Sequence, residues 1–238
     1  MDSMRKDQKL LLTAAAVSLA LWFIPFGHLV LYPLTLFNTH IHEMCHAAMT
    51  VMTGGQVALV TVNADTSGLT GSFGGWQLLI SPAGYIGATL IGGLMILGGA
   101  NPKLAKITLG ILAGAFAFTM LAFLRVQNAG DLMGIISGVL WVATLGYSAW
   151  KLEGNNAIFL VQFLGIQQCL TSLSSFRDLY QVSMMEAHSD AHNMAQMTMI
   201  PPVIWTLLWA ITSLCILWFC LSKSWKAKPK SETFRSAS

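Results

Sequence analysis

Long apolar runs, broken by short polar or glycine-rich stretches, dominate the chain. Residues 10–30 predict a first spanning helix, with Pro25 and Gly27 near its far end. Such breakers are tolerated in a bilayer when neighbouring groups satisfy the freed backbone. Pro33 predicts the start of a second helix, and Gly54-Gly55 predicts its stop. From residue 56 to 75 the period changes. Residues 56–62 are rich in β-branched side chains, 63–68 are turn material and 69–73 read as a returning strand. A short β-hairpin or re-entrant loop is therefore expected after the second helix. Further apolar runs follow at 76–97, 104–124, 132–150, 157–173 and 203–221, each near the ~20 residues a bilayer requires. Residues 174–196 form a polar segment before the last of them. Glycine pairs at 110/114 and 134/138 have the spacing that lets helices pack closely. The expected fold is an all-α polytopic membrane protein of about six to seven spanning helices.

Composition sharpens this picture. The chain has 238 residues, of which 55% are hydrophobic and only 10% charged, against about 25% charged in ordinary soluble domains. The net charge of +3 carries little by itself, and no nucleic-acid partner is expected. Its placement says more. Arg5, Lys6 and Lys9 precede the first apolar run, and Lys223, Lys226, Lys228, Lys230 and Arg235 follow the last. Both termini are thus expected in the cytoplasm, which asks for an even number of crossings. Seven apolar helices are odd, so the motif helix is partly inserted or one boundary is misplaced. Residues 1–9 read as a basic tail, 10–221 as one integral-membrane domain and 222–238 as a disordered basic tail, with no cleavable signal peptide. Four cysteines give no disulfide framework; Cys169, Cys215 and Cys220 sit in apolar runs and Cys45 reads as packing.

The chemistry concentrates at His42-Glu43-Met44-Cys45-His46. Four residues apart on a helix, His42 and His46 share a face and can offer two imidazole nitrogens to one Zn²⁺. Glu43 stands where its carboxylate can serve as general base toward a water activated by the cation. An ionisable cluster inside an apolar run is costly and therefore functional by default. A third ligand must come from elsewhere. Asp2, Asp7 and Glu232 lie in tails, Asp65 in the hairpin turn and Glu153 in a polar loop, leaving Asp131, Asp178, Glu186 and Asp190. Asp178 lies just beyond an apolar run, with an ion pair to Arg177 as its alternative role. Asp190 belongs to the cluster His188-Ser189-Asp190-Ala191-His192, in which Ser189 or Asp190 can instead cap a helix. Asp131 has a similar capping alternative.

These residues resemble the M50 family of intramembrane zinc metalloproteases, the site-2 protease class, in its compact M50B-like branch. The likeness rests on His42-Glu43-Met44-Cys45-His46-Ala47, Gly54-Gly55-Gln56-Val57, the hairpin through Gly74-Gly75, and Ser81-Pro82-Ala83-Gly84. Arg177-Asp178-Leu179, Ser189-Asp190-Ala191, and Pro201 with Trp205 extend it. The Leu-Asp-Gly motif that usually carries the third ligand in this class is absent; Asn128-Ala129-Gly130-Asp131-Leu132 is a faint echo with Asp and Gly reversed. The resemblance ranks Asp178 first as third ligand, Asp190 second and Asp131 third. It implies Zn²⁺ as cofactor, a membrane-protein substrate met within the lipid bilayer, and peptide-bond hydrolysis with Glu43 as base. A metal transporter and a non-catalytic membrane scaffold are the rival expectations.

Overall fold

A computed structural model describes residues 4–185 and 189–226, apart from the side chain of His28. Glu186 and His188, weighed above, and the tail beyond residue 226 lie outside the described residues. The elements run α1 (Lys6–Phe23), α2 (Gly27–Met52), β1 (Gln56–Val62), β2 (Gly68–Phe73), α3 (Gln77–Gly98), α4 (Pro102–Phe123), α5 (Leu132–Lys151), α6 (Gly154–Ser183), α7 (Asp190–Thr198) and α8 (Pro202–Lys226). Among the described residues five helices, α3, α4, α5 with its preceding turn, α6 and α8, are long and apolar enough to cross a membrane. Their outer faces expose Ile111, Phe118, Leu121, Leu140 and Trp218, the contiguous apolar surface that a bilayer covers and water does not tolerate. The chain is a multi-pass, all-α membrane protein with one β-hairpin.

Helices α1 and α8 reach into the stretches read as tails, beginning at Lys6 and ending at Lys226, and two further boundaries differ from the sequence expectation. The first apolar run is not one helix: α1 ends at Phe23 and α2 begins at Gly27, so Pro33 lies inside α2 instead of opening it. Pro25 cannot continue the hydrogen-bond ladder, and Phe26 takes a left-handed conformation, φ 60°. The second difference is α6, which continues through half of the segment read as polar. Its last turns are two-faced. Phe176 and Leu179 are buried against Trp209, while Ser174, Ser175 and Asp178 border a cavity. A helix lining a polar cavity keeps polar residues without leaving the bundle.

The core is built where α2 meets α4 and α5. Phe37 stacks on Phe116 with ring centroids 5.3 Å apart and tilts against Trp141 at 4.6 Å. Ile41, Met95, Leu109, Leu145 and Val161 complete a buried layer drawn from five helices. The helices α3 and α6 touch backbone to backbone, since a Cβ at Gly92 would lie 3.0 Å from the Gly165 carbonyl oxygen. Of the two glycine pairs noted in the sequence, Gly134 and Gly138 pack against Val62 and Met120. Gly114 instead faces open space.

The hairpin is antiparallel, with Gln56 opposite Phe73 and Val62 opposite Gly68, and an irregularity between Val57 and Leu59. It folds back along α2. Tyr32 donates its hydroxyl to the Ala64 carbonyl at 2.7 Å and Thr39 donates to the Thr66 carbonyl at 2.8 Å. On the other side Arg125 N–H donates to Val60 O at 3.0 Å.

The parity conflict is resolved by the termini. Arg5 donates to the Ser224 and Trp225 carbonyls at 3.0 and 3.1 Å, so the start of α1 and the end of α8 share one end of the bundle. Gln162 reaches the carbonyls of both Asp7 and Gly99 at 3.4 Å, so α3 also finishes there. The pair α1–α2 therefore makes one net passage, which with the five spans gives an even number.

Candidate metal centre and active site

Helical spacing stacks Asn38, His42 and His46 on one face of α2. His46 is buried, and its Nδ1–H donates to the Ile80 carbonyl at 2.7 Å. A carbonyl only accepts, so the proton sits on Nδ1 and Nε2 presents a lone pair. A hydrogen bond of this kind holds a histidine ring in the orientation a metal requires. His42 Nε2 lies 3.0 Å from His46 Nε2. Asp190 Oδ2 lies 3.3 Å from His46 Nε2 and 3.6 Å from His42 Nε2. A tetrahedral Zn²⁺ with bonds of 2.0–2.1 Å places its ligand atoms about 3.3 Å apart, and the three observed separations bracket that value. Two imidazoles and one carboxylate also fit as a donor set, because a cation between them offsets the crowding of lone pairs. Three protein donors leave one position of a tetrahedron for water or substrate.

Asp190 arrives from α7. Ser189 caps that helix, accepting from His192 N–H at 3.4 Å. Ala191 and Met194 are buried beside Phe176, Leu179 and Trp209, which docks α7 onto α6 and α8.

Glu43 is 4% exposed, so its carboxylate depends on protein partners. Thr70 Oγ1 on β2 donates to Oε2 at 2.7 Å. One residue pair away along the strand, Gly68 makes room: a Cβ there would lie 2.5 Å from Oε1 and 2.8 Å from Cγ of Glu43. A Cβ at Gly84 on α3 would collide with the Nε2 atoms of both His42 and His46. Tyr85 stands edge-on to the His42 ring at 4.5 Å and packs against Phe176 and Trp209. His42, Glu43, His46 and Asp190 all open onto a cavity of about 570 Å³ walled by α2, β2, α6 and α7.

The site thus gathers His42, Glu43 and His46 as the sequence implied, and it brings Asp190, ranked second, to the two histidines. Among the described residues those three form the only group placed to share a metal ion. Asp178, ranked first, is exposed and borders the same cavity from α6 without joining the group. The extension of α6 is the reason, since it carries Asp178 along the wall while the chain turns back to set α7 over α2. Asp131 stands outside the group and the cavity lining; its Oδ2 accepts from the Gln127 and Asn128 amides at 2.7 and 3.0 Å, closing the turn before α5, and it makes no side-chain bond capping α5 itself. Cys45 packs against Gly87 of α3, off the ligand face.

Sequence reasoning missed Thr70, Gly68, Gly84 and Asn38. Asn38 was within reach of sequence reasoning, lying one turn before His42 on its own face, whereas Gly68 reads as turn material and its closeness to Glu43 has no local signal. For Gly84 the expected outcome is sharp. Gly84→Ala should lose most bound Zn²⁺ while the bundle stays folded, checked by elemental analysis beside a thermal melt. Wild-type metal content in that variant would show that the histidines do not sit against α3.

No curated protein and no solved structure matches the chain. The family model described as peptidase M50B-like matches residues 11–220, a range that holds the motif helix, the hairpin, α7 and most of α8. With the match extending over almost the whole chain, the protein belongs to the peptidase M50B-like family.

Proposed function

We propose that the protein is an intramembrane zinc metalloprotease that hydrolyses peptide bonds in or near the membrane-spanning segments of other proteins. One observation carries this reading: a buried two-imidazole, one-carboxylate cluster shares its cavity with a separate glutamate whose second oxygen is already held by Thr70. A site that only stored or passed a cation would have no use for that glutamate.

His42, His46 and Asp190 would hold Zn²⁺. There it would act as a Lewis acid, polarising the scissile carbonyl and making water more acidic. Glu43 takes the proton from the attacking water at Oε1, the oxygen Thr70 leaves free. The water oxygen bonds to the carbonyl carbon as that proton leaves, and Glu43 then passes the proton to the amine nitrogen as the C–N bond breaks. Asn38 supplies a donor to the substrate. Its Oδ1 accepts from Gln168 Nε2 at 2.8 Å and Ser172 Oγ at 2.9 Å. Gln168 Nε2 also lies 3.5 Å from the Ala88 carbonyl, which sets the orientation of both amides. Asn38 Nδ2 is left to donate into the cavity, where a backbone carbonyl can accept.

The substrate must be unwound at the cleavage point, because a helical amide is occupied by its own hydrogen bonds. The outer edge of β2 offers an alternative partner. Among the described residues β2 pairs only with β1, and Gly68, Leu69, Thr70 and Ser72 border the cavity. An extended segment can add there as a further strand.

The test is reconstitution in liposomes with a single-span reporter protein. Cleavage should stop with a chelator and return with Zn²⁺. Cleavage indifferent to the chelator would remove the metal from the reaction. Zinc uptake into the lumen without any cleavage would replace the protease by a transporter.

A further inference from the structure

Charge is divided unequally between the two ends of the bundle. One end gathers the start of α1, the α3–α4 and α5–α6 junctions and the end of α8. The carbonyls of Ser224, Trp225, Asp7 and Gly99 are bonded together there by Arg5 and Gln162, and Lys106 donates to the Trp150 carbonyl at 3.2 Å. Among the described residues this end carries eight basic side chains: Arg5, Lys6, Lys9, Lys103, Lys106, Lys151, Lys223 and Lys226. Asp7 and Glu153 are its two acidic ones. The other end has Arg125 and Arg177 against Asp131, Asp178 and Asp190. The connections at the basic end are short, the condition under which lysine and arginine excess sets orientation.

The metal cluster does not sit midway between these ends. Gly84 abuts both histidines; it is seven residues from the start of α3 and fourteen from its basic end. Tyr85 ties His42 to Phe176 and Trp209. Phe176 is seven residues from the end of α6, and Trp209 is seven from the start of α8. At 1.5 Å per residue, three separate spans put the site about 10 Å from the end poor in basic residues, and about 20–33 Å from the basic end. The cavity is bordered by that same end of the bundle, through the last turns of α6 and the first of α7.

We propose that the basic end faces the cytoplasm, so that the site works in the opposite, non-cytoplasmic half of the bilayer on membrane proteins whose scissile bond lies in that half. The substrate class rests on the proteolytic reading above; the orientation does not. Positive residues at the short connections hold that end on the cytoplasmic side. The depth of Gly84, Phe176 and Trp209 then fixes which half of a neighbouring span can reach Glu43 and the histidines.

Two independent experiments separate these parts. Gln127→Cys and Lys103→Cys place a thiol at exposed positions on opposite ends, with wild type as the background for its native cysteines. In a bacterial host, a membrane-impermeant maleimide should label Gln127→Cys in intact cells, and Lys103→Cys only after lysis. Any other pattern, label on Lys103→Cys in intact cells above all, overturns the orientation. The second experiment uses two leucine–alanine single-span reporters, each with one Asn-Pro pair to loosen the helix, in the cytoplasmic half of one and the opposite half of the other. Only the second should be cut. Cutting of the first alone overturns the assignment of the site to the non-cytoplasmic half while sparing proteolysis. Cutting of neither, with the expected labelling, overturns proteolysis and the substrate class while the orientation stands.

Discussion

Glu43→Gln is expected to keep its metal and its fold while cleavage falls by on the order of 10²–10⁴. Glutamine preserves the volume of a side chain that is 4% exposed, so no cavity opens in the core. Thr70 Oγ1, which donates to Oε2 at 2.7 Å, can donate equally to an amide oxygen. What disappears is the ability to take a proton from water. Zn²⁺ content should match wild type because Glu43 stands outside the cluster of His42, His46 and Asp190. The measurement is single-turnover cleavage of a reporter span, run beside elemental analysis of the same preparation. Cleavage at the wild-type rate with full metal would mean another group moves the proton. Loss of the metal together with activity would make Glu43 a ligand instead of a base.

The sequence carried the three motif residues of the candidate site but only part of their frame. His42, Glu43 and His46 were legible because helical spacing converts a five-residue string into a geometry, and because ionisable groups in an apolar run need a reason. The hairpin was legible from its β-branched strand and polar turn, and the structure places it at Gln56–Val62 and Gly68–Phe73. Its contribution to the site was not. That Thr70 donates to Glu43 depends on the strand folding back along α2, held by Tyr32 and Thr39, and no local pattern encodes such a contact. The last turns of α6 misled for a related reason. Ser174, Ser175 and Asp178 read as a polar segment beyond the apolar run, since polarity alone does not tell solvent from an internal cavity. The crossing number stayed open between six and seven because no local pattern shows that a turn of three residues around Pro25 and Phe26 divides one long apolar run.

The third ligand shows most directly what sequence leaves open, and it gives the last expected result. Asp190→Ala should weaken zinc binding by more than the roughly 10–100-fold that losing an outer-shell partner costs, whereas Asp178→Ala should leave it near wild type. Asp190 Oδ2 stands 3.3 and 3.6 Å from the two Nε2 atoms, while Asp178 borders the cavity without joining them. The fold should survive the change. Removing a carboxylate from the first turn of a helix costs about 0.3–1 kcal/mol, and α7 keeps its Ser189 cap and its buried Ala191 and Met194. Ser189→Ala separates ligation from placement. Losing that cap costs about 0.5–2 kcal/mol and loosens the helix that delivers Asp190, so it should lower affinity less than Asp190→Ala does. Competition with a chromophoric chelator measures all three variants on one scale. Tight binding in Asp190→Ala with loss in Asp178→Ala would move the ligand to α6, and would require α7 to sit away from the histidines. Equal loss in Ser189→Ala and Asp190→Ala would instead make the docking of α7, not the carboxylate, the source of the affinity.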